Sequence, residues 1–129
     1  MSVRSFDRPS PRPAPASIEG TDLDGRAVSL PVTGPTLVVA VKEDCDGCRA
    51  VVEQGVAVPG VSVVVVAERA GALAGARGVA LVAPAAMAEL GLRWPPTYVL
   101  IHPEGPRVVG EGSVFSPDQV AAEVVAALG

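Results

Sequence analysis

The chain holds only two cysteines, Cys45 and Cys48, in a C-x-x-C motif. Two thiols at that spacing can exchange electrons as a dithiol–disulfide pair, supply part of a soft-metal site, or pack as inert residues. As a structural staple the pair is weak, because closing so short a loop restricts the unfolded chain by only about 2 kcal/mol. Structural zinc asks for four ligands. The sole histidine, His102, follows Pro96 along a predicted strand at roughly 20 Å, taking ~3.3 Å per residue, and reads as a polar residue at a strand end. A metal would therefore need a second copy of the chain or the carboxylates next to the cysteines. No metal and no cofactor is expected.

The elements around the pair follow from hydrophobic pattern and punctuation. SIEGTDLDGRAVSL, residues 17–30, reads as a hairpin turning at Asp24-Gly25. After Gly34-Pro35, the run TLVVAV (36–41) is continuously apolar and β-branched, which fits a strand buried on both faces. KEDCDGC leads directly into RAVVEQ, so a short helix starts at the cysteines and stops near Gly55. VSVVVVA (61–67) is a second buried strand and completes a right-handed βαβ unit. The cysteines then lie at the C-terminal end of a central strand, where sites collect in open α/β sheets. Residues 68–78, interrupted by three glycines, read as a weak helix or loop, and 79–82 as a short strand. AAMAEL, with Pro84 before it and Gly91 after it, is a helix in which Met87 fills core. Trp94-Pro95-Pro96 breaks the chain before TYVLI (97–101), which turns at Glu104-Gly105 into RVVG (107–110). Ser116 to Gln119 form a capping box with Pro at the first helical position. The helix that follows places Val120, Val124, Ala127 and Leu128 on one face.

That order, with C-x-x-C directly after TLVVAV and Pro96-Thr97 opening the late hairpin, resembles the thioredoxin-like superfamily. SIEGTDLDGRAVSL ahead of TLVVAV is similar to its redoxin branch, which includes TlpA-type thiol-disulfide oxidoreductases. The resemblance covers roughly residues 17–128. It implies an α/β fold with a central mixed sheet flanked by helices and an N-terminal hairpin extension, and thiol-disulfide exchange as the activity. A cysteine at a helix N-terminus meets the positive end of the dipole and unpaired N–H groups, both of which favour thiolate, so Cys45 is the nucleophile. Cys48, one turn on and more sheltered, is the resolving thiol. A family cis-proline maps onto Pro96, and Trp94, Pro95, Pro96 and Thr97 become the expected substrate-binding residues.

The chain departs from the family at definite places. Asp44 stands where a Trp is usual, and Glu43, Asp44 and Asp46 outnumber Lys42 and Arg49, so local carboxylates oppose the thiolate. Val39 occupies the position of a buried Asp, which leaves proton handling to water or Glu43. Pro95 removes the N–H that a substrate backbone would use. Glu43 replaces the Thr that peroxiredoxins need, and no peroxidase activity is expected. Trp94 reads as a partly buried packing residue in preference to a substrate-facing aromatic, and Arg49 as a solvated helix residue or a modulator of the pair. A redox-inert binding module of the same fold stays open as the alternative.

Composition narrows the partners. A net charge of −4 with dispersed Lys and Arg excludes a general nucleic-acid binder. The first seventeen residues lack an apolar leader run, and no stretch reaches about 18 uninterrupted apolar residues, so a cytoplasmic protein without a membrane span is expected. Residues 1–16, with four prolines between arginines, read as a disordered, extended arm, and 17–129 as the thioredoxin-like domain. The expected partners are a protein or small-molecule disulfide or dithiol and a cellular reductant.

Overall fold

The computed structural model describes residues 12–129. The greater part of the proline-rich arm lies outside them. Its last residues do not: β1 (Arg12–Pro13) is an antiparallel edge strand on β8 (Arg107–Ser113), so the sheet takes in residues ahead of 17. Proline is tolerated there because an edge strand need not donate on both sides. The Arg12 guanidinium ties the strand down through Glu111 at 2.9 Å and the Leu90 carbonyl at 2.9 Å.

The remaining strands are β2 (Ser17–Thr21), β3 (Ala27–Pro31), β4 (Thr36–Ala40), β5 (Ser62–Ala67), β6 (Val79–Val82) and β7 (Thr97–His102). They form one mixed sheet in the order β1-β8-β7-β4-β5-β6-β2-β3. β4 is central, parallel to β5 on one side and antiparallel to β7 on the other. Its side chains alternate between two cores, as a strand must when both faces are covered. Leu37, Val39 and Val41 face α1 (Asp46–Gln54) and α3 (Pro117–Leu128), whereas Val38 and Ala40 face α2 (Pro84–Leu90) and the β2–β3 hairpin. With few aromatics, both cores are built mainly of Val, Leu, Ala and Ile packed at near-zero exposure.

Local signals explain the boundaries. Asp22 Oδ1 accepts from the N–H groups of Asp24 and Arg26, which fixes the hairpin turn. Gly91 closes α2 in the left-handed conformation, at φ 73° and ψ 23°, donating back to the end of the helix. The weak segment after β5 holds one 3₁₀ turn, Ala70–Leu73, which buries Ala72 and Leu73. In α3, Val120 and Val124 are fully buried, but Ala127 and Leu128 are exposed, contrary to the face read from the sequence. Ala127 lies over Gly110, which offers no side chain to bury against.

Candidate active site

Cys45 is the N-cap of α1, with extended backbone at φ −139° and ψ 115°. Its sulfur accepts the N–H of Cys48 at 3.2 Å, and its carbonyl accepts from Arg49 N at 3.0 Å. The two sulfurs are joined in a disulfide across a Cα–Cα distance of 5.2 Å, ordinary for such a bond. The partners differ sharply in access. Cys48 is 1% exposed and packs in the core with Val51 and Leu73, whereas Cys45 is half-buried at its edge. The Lys42 N–H lies 3.5 Å from Cys48 Sγ and faces the inner sulfur. Of the two sulfurs, the outer one belongs to the more accessible residue.

The register of the sheet brings the prolines to the segment that leads into the cysteines. Thr97 pairs with Ala40, so the residues before Thr97 lie beside those that follow Ala40 on the way to Cys45. The Pro95–Pro96 peptide is cis. The Pro96 carbonyl accepts from Val114 N at 3.1 Å, which fastens this loop to the one ahead of α3. Trp94 is 83% exposed, overturning its reading as a packing residue: Leu92 and Tyr98 on either side are buried, and the proline break turns the indole outward. Thr97 Oγ1 is buried without a hydrogen-bond partner. Sequence reasoning missed Phe115, 76% exposed on the neighbouring loop. A Cβ added to Gly47 would lie 3.4 Å from the Phe115 carbonyl, so this loop rides against the first turn of α1.

The charged residues divide into two groups. Arg49 is not simply solvated: it bridges to Glu53 at 2.8 Å, one turn along, and donates to the Ala74 carbonyl at 3.3 Å, pinning α1 to the end of the 3₁₀ turn. Glu43, Asp44 and Asp46 are exposed. Asp44 has φ 56°, a left-handed backbone that Asp tolerates better than bulkier residues, and through it the chain reverses from β4 into the cap. The Glu43 carboxylate lies over Gly71, where an added Cβ would come within 3.3 Å. Beside these residues is a pocket of about 480 Å³, floored by Val41, Ala72 and Pro95. Its rim carries Lys42, Glu43, Asp44, Glu68, Arg69 and Arg93. Glu68, Arg69 and Arg93 were not singled out in the sequence. The available signal was that Glu68 and Arg69 directly follow β5, at the strand end where ligands gather.

Away from the cysteines, the Tyr98 hydroxyl donates to Glu123 at 2.6 Å. Burial first, then the Glu123 carboxylate beside it, push the phenol well above its ordinary value. His102 ends β7 and accepts from Glu104 N at 3.2 Å, a strand-end role as expected. Val39 is fully buried where an acid could have served. Among the described residues no group of three or more His, Cys, Asp or Glu side chains converges as a metal site would need, and no helix is long and apolar enough to cross a membrane.

No family model matches the sequence, and no curated protein matches it. Solved structures do. The fold is similar to that of a thiol:disulfide interchange protein of the thioredoxin family from Chlorobium tepidum, with a TM-score of 0.64 at 23% identity over 94% of this chain and 99% of that one. A secreted disulfide oxidoreductase from Mycobacterium tuberculosis aligns with a TM-score of 0.60 at 21% identity, over 84% of this chain and 95% of that one. A secreted thiol-disulfide isomerase from Corynebacterium glutamicum aligns at 0.62 and 13% identity, over 99% and 90%. The chain has the thioredoxin-like fold that the order of its elements implied.

Proposed function

We propose that this protein is a thiol-disulfide oxidoreductase working through Cys45 and Cys48. The observation that carries the reading is the asymmetry of the pair: a partly exposed cysteine capping a helix N-terminus and a fully buried partner three residues on, already at disulfide distance. In the oxidising direction the Cys45 thiolate attacks a substrate disulfide RSSR, forming a Cys45–S–S–R bond and releasing RS⁻. The Cys48 thiolate then attacks Cys45 Sγ, expelling the second RS⁻ and closing the protein disulfide. Two electrons pass from the protein dithiol to RSSR, and the two protons go to the departing thiolates. The reverse sequence oxidises a substrate dithiol.

The protein supplies orientation and hydrogen bonds: the Cys48 N–H is aimed at the Cys45 sulfur, where it can stabilise a thiolate, and the Lys42 N–H faces the inner sulfur. Trp94, Pro95, Pro96 and Thr97 form the substrate side of the groove, with Pro95 and Pro96 beside the cap. The partners are a protein or small-molecule disulfide or dithiol and a cellular reductant. The similar structures include proteins described as thiol:disulfide interchange proteins and oxidoreductases, which supports the same reading here. Mixing the reduced protein with a neutral disulfide, quenching in acid and alkylating tests it. Loss of both thiols together, faster than from a free dithiol in the same buffer, is expected; loss no faster would remove the activity.

A second reading has two observations in its favour. Pro95 offers no N–H and Val39 no proton acceptor, which suits a redox-inert module that keeps the groove for docking. We retain the cytoplasm as the proposed site of action, although two of the similar structures are of secreted proteins. Recovery of the protein from the medium or envelope fraction would overturn it.

A further inference from the structure

Resting on that redox reading, we propose that the pocket beside Cys45 binds the charged arms of a small zwitterionic disulfide, of the amino-acid type that carries both carboxylate and ammonium groups. The pocket is about 480 Å³, within the roughly 300–1,000 Å³ of small-molecule sites. It lies at the C-terminal ends of β4 and β5, and its lining includes Asp44 and Pro95, the residues immediately before Cys45 and Pro96. Cys45 itself does not line the pocket, which adjoins it through Asp44.

The rim carries three cations, Lys42, Arg69 and Arg93, and three acids, Glu43, Asp44 and Glu68. Among the described residues the salt bridges are Arg12–Glu111 and Arg49–Glu53, so the six rim charges form none with one another although they surround a single pocket. Among the described residues each is left to solvent or to a ligand. Equal numbers of the two signs match a ligand bearing both, whereas a purely anionic or cationic disulfide would meet like charge on part of the rim. An extended polypeptide finds less here. Pro95 has no N–H to give its backbone.

The reaction is the exchange already described, P(SH)₂ + RSSR → P(S–S) + 2 RSH, with R an amino-acid arm. The test measures second-order oxidation of the reduced full chain by cystine, by dithiodiglycolate (anionic), by cystamine (cationic) and by bis(2-hydroxyethyl) disulfide (neutral). Each rate is divided by that of a free dithiol with the same reagent, which removes the intrinsic reactivity of the disulfide. The corrected rate with cystine should exceed each of the other three by about tenfold or more, equivalent to ~1.4 kcal/mol. In Arg69→Ala/Arg93→Ala the ratio of cystine to neutral disulfide should fall about tenfold, and Arg69→Lys/Arg93→Lys should restore most of it. Equal corrected rates across the four reagents, or a ratio untouched by the alanine pair, would overturn the proposal while leaving exchange at Cys45 intact. Failure of all four to outpace the free dithiol would instead remove the redox reading on which it rests.

Discussion

Two helix N-termini lie side by side in this fold, and they are capped by the same geometry with different atoms. At α3 the Ser116 hydroxyl accepts from Gln119 N at 3.1 Å, and the Gln119 side chain returns the bond by accepting from Ser116 N at 3.2 Å. At α1 the Cys45 sulfur accepts from Cys48 N at 3.2 Å, with no reciprocal side chain. Gly47 and the Phe115 carbonyl bring the two first turns together. The hydroxyl cap is a closed device whose donors and acceptors are paired off, and it stabilises the helix. The sulfur cap places a nucleophile on the same kind of N–H donor and leaves one face open. A cap contributes to stability or to chemistry according to the atom that fills it and whether its partners are used up.

The comparison is broken most severely by Cys45→Ser, which keeps a competent cap and deletes the nucleophile. Exchange should drop by more than about 10³-fold while the melting temperature stays within a few degrees of the reduced parent, as read by thiol release and thermal unfolding. Cys48→Ser leaves the outer sulfur and removes its resolver. Mixed disulfide at Cys45 should accumulate to near stoichiometry, visible by mass spectrometry, and unimpaired turnover would refute the division of roles. Ser116→Ala attacks the other cap. It should cost about 1 kcal/mol, roughly 3–5 °C in melting temperature, with little change in exchange rate. A large loss of exchange in this variant would show that the two caps are coupled.

The last effect, comparable to that of Ser116→Ala at neutral pH, lies where the α3 cap network reaches the core. Gln119 Nε2 donates to Glu123 Oε2 at 2.8 Å, and the other Glu123 oxygen accepts from Tyr98. Because the folded state holds the Tyr98 phenol above its unfolded value of 10.0, the folded chain keeps a proton that the unfolded chain gives up. Stability from this group is fully present below pH 10.0 and is lost as pH rises from there through the folded value. Tyr98→Phe should cost about 1 kcal/mol at neutral pH and flatten that alkaline decline, measured by denaturant unfolding across pH.

What could be read ahead of the structure was what rests on local physics. The buried run at β4, the Pro84 start and Gly91 stop of α2, and the Ser116 capping box each follow from interactions within a few residues. Cys45 and Cys48 were legible as chemistry because their spacing places both in one helical turn. Illegible features depend on contacts between distant segments. Arg12 joins β1 to Glu111 and Leu90; Trp94 turns outward because of the proline break; and the charged pocket assembles from three loops that end different elements. Ala127 and Leu128 had the right periodicity for burial, but periodicity does not reveal that the residue facing Ala127 is Gly110.

The central claim, that Cys45 and Cys48 form a working exchange pair, is tested most directly by equilibrating the protein in graded mixtures of reduced and oxidised thiol and following both cysteines by alkylation. A single reversible two-electron transition at a potential in the range of about −120 to −270 mV is the expected result. Thiols that remain unpaired across that range would contradict the account and leave a thioredoxin-like fold without the exchange chemistry.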